Sequence, residues 1–492
     1  MSPGRSSGAD GAVTASPDAR WAAGFQALDD EVTCDELPVA GTLPGWLGGS
    51  LLRVGPARFE AGGRSVAHWF DGLAMLHRFG FEAGRVSYRN RFLRSEAFDA
   101  SEDGGIRHAG FMTDPCRTLF GRVRSWFRSD ATDNASIAVR VVDGIGTAMT
   151  ETPLAVSFDP ATLDTFGRHA WGAGDGGAGS QVATAHPLHD GVGGYTVTVA
   201  MGRRSVYRVL LDDGTGAARR VLAEVPCRRP AYLHSFGMSA RYLVLTEFPL
   251  RVNPLRLKFS GEPFIRNYRW DPAQGTRFTV LDKASGEVVS VATGPARFGF
   301  HHVDAHESDG CLCVDLLAYP DATIIERLRL DRLRSEEPLD AVAHLTRFRL
   351  PLREPAGRAT AEVLCEVPIE LPRTDERRRR AGLPAGVVWG NGLTRPGHFI
   401  DDVTRIDLRT VPPTVRRWHE PGCYPGEPVF VPRPGGDAED DGVLLSVVLD
   451  AGTTRSFLLV LDAATLIEVA RATLPHAMPF GFHGEHVKEK DR

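Results

Sequence analysis

The chain has 492 residues, 42% of them hydrophobic and 24% charged, with a formal net charge of −5. This is the composition of a globular protein with ample material for a core, and so small a charge excludes a global electrostatic case for nucleic acid. No apolar run approaches the ~20 residues of a spanning helix. Seven scattered cysteines with no C-x-x-C pair point to a reducing, cytoplasmic setting.

Residues 1–29 are small, polar and rich in Gly, Pro and Ser, with no apolar leader segment. They read as a disordered tail ahead of a single domain spanning 30–492. In HWFDG, His68, Trp69 and Asp71 read as structural residues that lock a corner between strands, and His77 as a packed histidine. The segment Asp114–Phe127 (DPCRTLFGRVRSWF) opens with Asp as N-cap and Pro at the first helical position. Its Leu119, Phe120, Val123 and Phe127 form a stripe, with Arg117, Arg124 and Arg128 largely off it. A basic amphipathic helix of this kind suits either a membrane interface or the protein's own core. Gly172–Ser180 is a flexible loop, since no helix follows to make it a phosphate cradle.

Much of the chain consists of short β-branched and aromatic runs, such as GGYTVTVAMG, RYLVLTEF, GCLCVDLLAYP and DGVLLSVVLD. Turn chemistry bounds each one, so each predicts a strand. Cys311 and Cys313 share one face of such a strand and suit packing. Asp321–Asp340 carries apolar residues at helical spacing and predicts a helix. Glu376–Arg380 (ERRRR) reads as an exposed loop, with an anionic-lipid patch as the lesser reading. Glu439–Gly442 reads as a solvated hairpin tip. Many short strands with few helices predict an all-β propeller, sandwich pair or large barrel, and no strict repeat period is visible.

Four histidines occur in similar settings, each at a junction between a turn and a strand-like run: His186, His234, His301 and His483. The last two follow Gly-Phe. Four imidazoles brought together would suit a borderline first-row metal such as Zn, Cu, Fe or Ni, although spacing alone does not bring them together.

Six segments, in order, carry a more specific signal. They are LLRVGP through HWFDGLAMLHRFGFEAGRVSYRNRF, AMTETPLAVSFDPATLDTFG, YLHSFGMSARYLVLTEFPL, FGFHHVDAHE, CYPGEPVFVPRPGGDAEDDGVLLSVVLD and PFGFHG. Together they resemble the carotenoid cleavage oxygenase family, nearest to the branch of animal β-carotene oxygenases and the retinoid isomerohydrolase of the visual cycle. The resemblance implies a seven-bladed β-propeller, with a few helices and long loops capping the metal face. It implies a ferrous ion on His186, His234, His301 and His483, with dioxygen as co-substrate. It further implies that Glu151, Glu370 and Glu427 accept hydrogen bonds from the outer N–H groups of ligand histidines, fixing tautomer and ring orientation. His302 should face away from the metal, because successive strand side chains alternate. His306 stands where relatives usually have an aromatic residue, and Asp304 where they have Asn.

The implied activity is cleavage of a C=C bond in a carotenoid or apocarotenoid to aldehydes, retinal among the products it allows. Tyr232, Phe300 and Phe482 are expected to line the polyene pocket, with core packing as the plainer role of each. Ile137 is expected to restrict access to the metal. A polyene dissolves in membranes, so peripheral membrane contact through Asp114–Phe127 is expected. Stilbenoid cleavage, retinoid ester isomerohydrolysis and a metal-free binding scaffold are the alternatives.

Overall fold

The computed structural model describes residues 20–106, 110–113, 131–171, 179–214, 218–335, 337–352 and 356–488. Seven sheets of four or more strands account for most of these residues. They follow one another along the chain as the blades of a propeller, with neighbouring strands antiparallel except where Val288–Gly294 meets Ala356–Arg358. Central strands such as Gly49–Arg58, Tyr242–Glu247 and Gly442–Asp450 are buried almost throughout, because blades cover both of their faces. Arg85–Phe92, nearer the rim, alternates exposed or half-buried with buried residues, the pattern of a strand packed on one side. The two-residue hairpins at Asp143–Gly144 and Asp309–Gly310 put both residues at positive φ, which Asp-Gly accommodates and strand twist favours.

The ring closes twice. Gly484–Val487, near the C-terminus, pairs with Gly49–Arg58 in the first blade. Val39–Gly41, near the N-terminus, pairs with Glu468–Thr473 in the last.

Several expectations change. Residues 20–29 belong to the fold and not to a tail: Arg20–Phe25 forms a 3-10 helix, and Trp21, Phe25 and Leu28 are buried. Phe25 meets Trp69, Phe399 and Phe480 edge-on at centroid distances of 5.4, 5.3 and 5.2 Å. The helix expected over Asp321–Asp340 is instead two short ones, Thr323–Arg327 and Leu330–Leu333. Between them Arg329 turns extended to bridge His68, and the Leu330 N–H reaches Ala67 O at 3.1 Å. A tertiary pairing overrides helical spacing there. Glu376–Arg380 is a short helix capped by Asp375, and its arginines are engaged: Arg377 with Gly436 O, Arg378 with Pro384 O, Arg380 with Glu376. That removes the loose basic patch. In the Glu439–Gly442 turn, Glu439 is buried and accepts from the Gly386 and Val387 N–H groups at 2.8 and 3.0 Å. Gly172–Ser180 lies for the most part, and Asp114–Phe127 entirely, outside the described residues.

In the HWFDG corner His68 and Asp71 hold the structure together, as expected. Asp71 accepts from the Met112 and Thr113 N–H groups and from the Thr113 hydroxyl. His68 Nδ1 accepts from the Phe70 N–H, and its Nε2–H donates to Ile325 O at 3.0 Å, so the ring is held neutral. Burial, aided by Arg329, pulls this imidazole down to about 3 against the Ile325 bond. Its folded value lies below the unfolded one, so the stability it contributes is complete above pH 6.5 and lost as pH falls towards 3. Stability of the wild type is expected to fall with pH in that window about 1.4 kcal/mol per unit more steeply than that of His68→Gln, measured by urea denaturation. Phe25→Ala should cost about 3–5 kcal/mol in the same assay.

Candidate metal centre

Where the blades meet the axis, each contributes one residue. His301 and His483 immediately precede the innermost strands His302–Ser308 and Gly484–Val487. His234 lies just before Gly237–Met238, and His186 sits between Val182–Ala183 and Leu188–His189. The other three blades supply carboxylates. Glu370 opens Glu370–Arg373, Glu427 lies between Cys423–Pro425 and Val429–Pro432, and Glu151 follows Ile145–Met149.

The four imidazoles converge, with one ring nitrogen of each within 4.8 Å of the others. Nε2 of His186 lies 3.0 Å from that of His234, and Nε2 of His301 lies 3.2 Å from that of His483. The outer nitrogens face the carboxylates: His234 Nδ1 is 2.5 Å from Glu151, His301 Nδ1 2.7 Å from Glu370 and His483 Nδ1 2.6 Å from Glu427. Among the described residues no carboxylate is bonded to His186. A carboxylate accepts, so it fixes the proton on Nδ1 and leaves a bare lone pair on Nε2. His301 and His483 therefore turn two lone pairs on each other with no proton between. Protonating the cluster is opposed by burial, which holds His186 well below its usual value and His483 at about 4 despite Glu427. A cation resolves that repulsion, and four neutral nitrogens fit a borderline first-row metal.

The carboxylates are themselves held. Tyr232 donates to Glu151, and Tyr319 donates to Glu370 at 2.7 Å. Burial and the adjacent carboxylates push both phenols well above their usual range, so they remain donors. Glu427 is held by cations instead. Arg373 Nε donates to it at 2.9 Å, and Arg53 Nη1 lies 3.8 Å away. Burial disfavours the Glu427 charge, but Arg373, His483 and Arg53 outweigh burial and hold it well below the usual carboxylate range. Arg373 reaches the axis through a bulge: residues 370 to 373 oppose only 391 to 389, with Leu371 at φ 50°. Tyr319, Arg373 and Arg53 were not singled out from the sequence. Arg373 shares a strand with Glu370 in PIELPR, the two charged residues of an otherwise apolar run.

Beside the metal centre lies a largely apolar cavity with about 880 Å³ of empty space, part of it open to solvent. Ile137, Phe300 and Phe482 line it, as do Trp69 and Phe70. Tyr232 does not; it lies in the core with its hydroxyl on Glu151, which corrects the expectation that it lines the pocket. His302 points to the other face of its strand, bonded to Ser235 and Thr246 at 2.7 Å each. His306 lies 3.2 Å from Asp304, and Asp315 beside them is forked by Arg347 at 2.8 Å through both oxygens. Against burial, Asp304 raises the His306 imidazole to about 9. The His306 imidazole and the Arg347 guanidinium thus each face one of the two buried carboxyl groups.

The profile described as retinal pigment epithelial membrane protein matches residues 25–488. The chain belongs to the carotenoid-cleaving oxygenase family. Within it, the chain is 34% identical to a mitochondrial carotenoid-cleaving dioxygenase of Macaca fascicularis, over 91% of each chain. It is also 34% identical to the chloroplastic carotenoid cleavage dioxygenase 8 homolog A of Oryza sativa, over 91% of this chain and 84% of that one. Among solved structures, a cobalt-substituted apocarotenoid oxygenase of Synechocystis superposes with a TM-score of 0.82 at 25% identity, covering 95% of this chain and 98% of that one.

In this family member Glu427 is fully buried against Arg53, itself buried, and Arg373. Glu427→Ala is expected to lower unfolding free energy by about 3–5 kcal/mol, because it strands those guanidinium groups. Urea denaturation of the metal-free protein tests this.

Proposed function

We propose that the protein is a non-haem Fe(II)-dependent dioxygenase that cleaves one C=C bond of a carotenoid or apocarotenoid to two carbonyl products, retinal among them where the substrate allows it. The observation that carries this is the convergence of four imidazoles, with the bare Nε2 lone pairs of His301 and His483 turned on one another, beside an apolar cavity. His186, His234, His301 and His483 would hold the iron, which supplies the point where dioxygen is activated for addition to the double bond. The relatives are named as carotenoid-cleaving dioxygenases, which favours oxygen chemistry on polyenes, and the cobalt-substituted neighbour favours a metal on this fold.

The chain's own residues do the remaining work. Glu151, Glu370 and Glu427 keep each Nε2 deprotonated and aimed at the axis. Phe70, Phe300 and Phe482 wall the polyene and exclude water, and their faces stabilise electron-poor character along the conjugated chain. Ile137, whose carbonyl accepts from the His483 N–H at 3.1 Å, narrows the space in front of the metal. Ester isomerohydrolysis would use the same site without oxygen incorporation. A metal-free scaffold leaves the facing lone pairs unexplained.

A substrate of this kind reaches the enzyme from a bilayer, and we place the protein in the cytoplasm at the membrane surface. Among the described residues no helix is long and apolar enough to cross a membrane. The helix Pro254–Phe259 supports surface contact: none of its residues is buried, and Leu255 and Phe259 are 60% and 54% exposed beside Arg256 and Lys258. Arg266 nearby pairs at 3.3 Å with Glu326, on the helix whose Ile324 lines the cavity.

With Fe(II) and ¹⁸O₂, β-carotene or a β-apocarotenal should yield aldehydes carrying the label, and His301→Ala should abolish both iron retention and turnover. Unlabelled products would indicate hydrolysis, and retained iron with full turnover in the variant would refute the site. Replacing Leu255 and Phe259 by Ser should reduce cosedimentation with anionic liposomes severalfold.

A further inference from the structure

Among the described residues, metal-ligating side chains gather at a second place, away from the four histidines of the axis. It lies on the hairpin of the strands His302–Ser308 and Cys311–Ala318, where Asp304 stands opposite Asp315 and His306 opposite Cys313. Residues two apart share a strand face, so Asp304 and His306 project together, as do Cys313 and Asp315. One donor atom each from Asp304, His306 and Asp315 lies within 4.8 Å of the others, the closeness that the four imidazoles show. All three side chains are buried, at 5%, 8% and 1% exposure.

Two buried carboxylates facing each other across a strand pair repel, and each needs a cation. Arg347 serves Asp315 closely, with 2.8 Å to each oxygen. His306 serves Asp304 less closely. Its Nδ1 stands 3.2 Å from the carboxylate, against 2.5, 2.7 and 2.6 Å for His234, His301 and His483 and their glutamates. A charge-assisted N–H···O bond spans about 2.7–2.9 Å. Two ligands bonded to one zinc ion at about 2.0 Å stand about 3.3 Å apart at the tetrahedral angle. The same 3.2 Å separates Nε2 of His301 from that of His483 across the axial centre. Each of the three side chains is also steadied from behind, as metal ligands are. The Ala385 N–H donates to Asp304 at 3.0 Å, Arg347 forks Asp315, and Cys313 is hydrogen-bonded to the His306 ring.

We infer that Asp304, His306 and Asp315 bind one divalent ion of the zinc class, which takes the place of the proton between His306 and Asp304 and fastens the two strands together. Imidazole nitrogen with carboxylate oxygen suits zinc, and two carboxylates match its charge. Three protein ligands leave one position for water. The strand so fastened begins one residue after His301, so the ion braces a ligand of the axial centre from a distance. It binds whether or not the axis holds iron.

The test uses the full chain, loaded anaerobically with Fe(II) and then dialysed against micromolar Zn²⁺. Elemental analysis should find one zinc per chain besides the iron, and X-ray absorption at the zinc edge should show a single imidazole among oxygen ligands. The double variant Asp304→Asn, His306→Phe carries the residue types that relatives usually have at these positions. It should keep its iron and lose the zinc, and Zn²⁺ should raise the unfolding temperature of the wild type but not of this variant. His301→Ala should still take up one zinc with the single-imidazole spectrum. Absence of zinc from the wild type overturns the site. So does equal zinc in the double variant, as adventitious surface binding would give, or a spectrum with three or four imidazoles, which would place the zinc at the axis. Should the double variant fail to fold, the wild-type zinc content and spectrum decide.

Discussion

Uncharged imidazoles do not gather spontaneously with their lone pairs facing inward, and the architecture can be read as the apparatus that makes them do so. Each outer nitrogen that donates to a carboxylate loses the freedom to switch tautomer, and burial opposes protonation of His186, His234 and His483. What opposes the resulting repulsion is the stiffness of seven sheets packed around one axis. A propeller suits this purpose because its innermost strands all start or bend near the same point. One residue from each blade is enough to build the cluster and its supports.

Those supports are not equivalent. Glu151 and Glu370 are steadied by neutral phenols, whereas Glu427 faces two guanidinium groups. A carboxylate whose charge is already matched pulls less on its histidine's proton. The imidazole of His483 is accordingly a weaker electron donor than those of His234 and His301, and no carboxylate among the described residues is bonded to His186. The four nitrogens form a graded set, which gives the centre a direction within an outwardly symmetric fold.

Much of this was legible in the chain. His234, His301, His483, Glu151 and Glu427 lie in segments whose wording is distinctive, and turn residues mark the ends of strand runs such as GCLCVDLLAYP and DGVLLSVVLD. What escaped shares one physical origin, namely contacts between residues distant in sequence. The break at Arg329 depends on a bridge to His68, and the burial of Glu439 depends on amides fifty residues earlier. Tyr319 and Tyr232 resemble any other aromatic residue until the carboxylates they serve are in place. Local periodicity and composition carry no record of such partners. That Asp315 and its Arg347 fork lie beside Asp304 and His306 is likewise visible only in the fold.

His483 precedes the strand that completes the first blade, so the fourth nitrogen is carried by the segment that closes the ring. A nascent chain still short of that strand offers at most three imidazoles and an open ring. Convergence of the four imidazoles is thereby coupled to closure of the ring, so that loosening the seam between Gly484–Val487 and Gly49–Arg58 would also disperse the cluster.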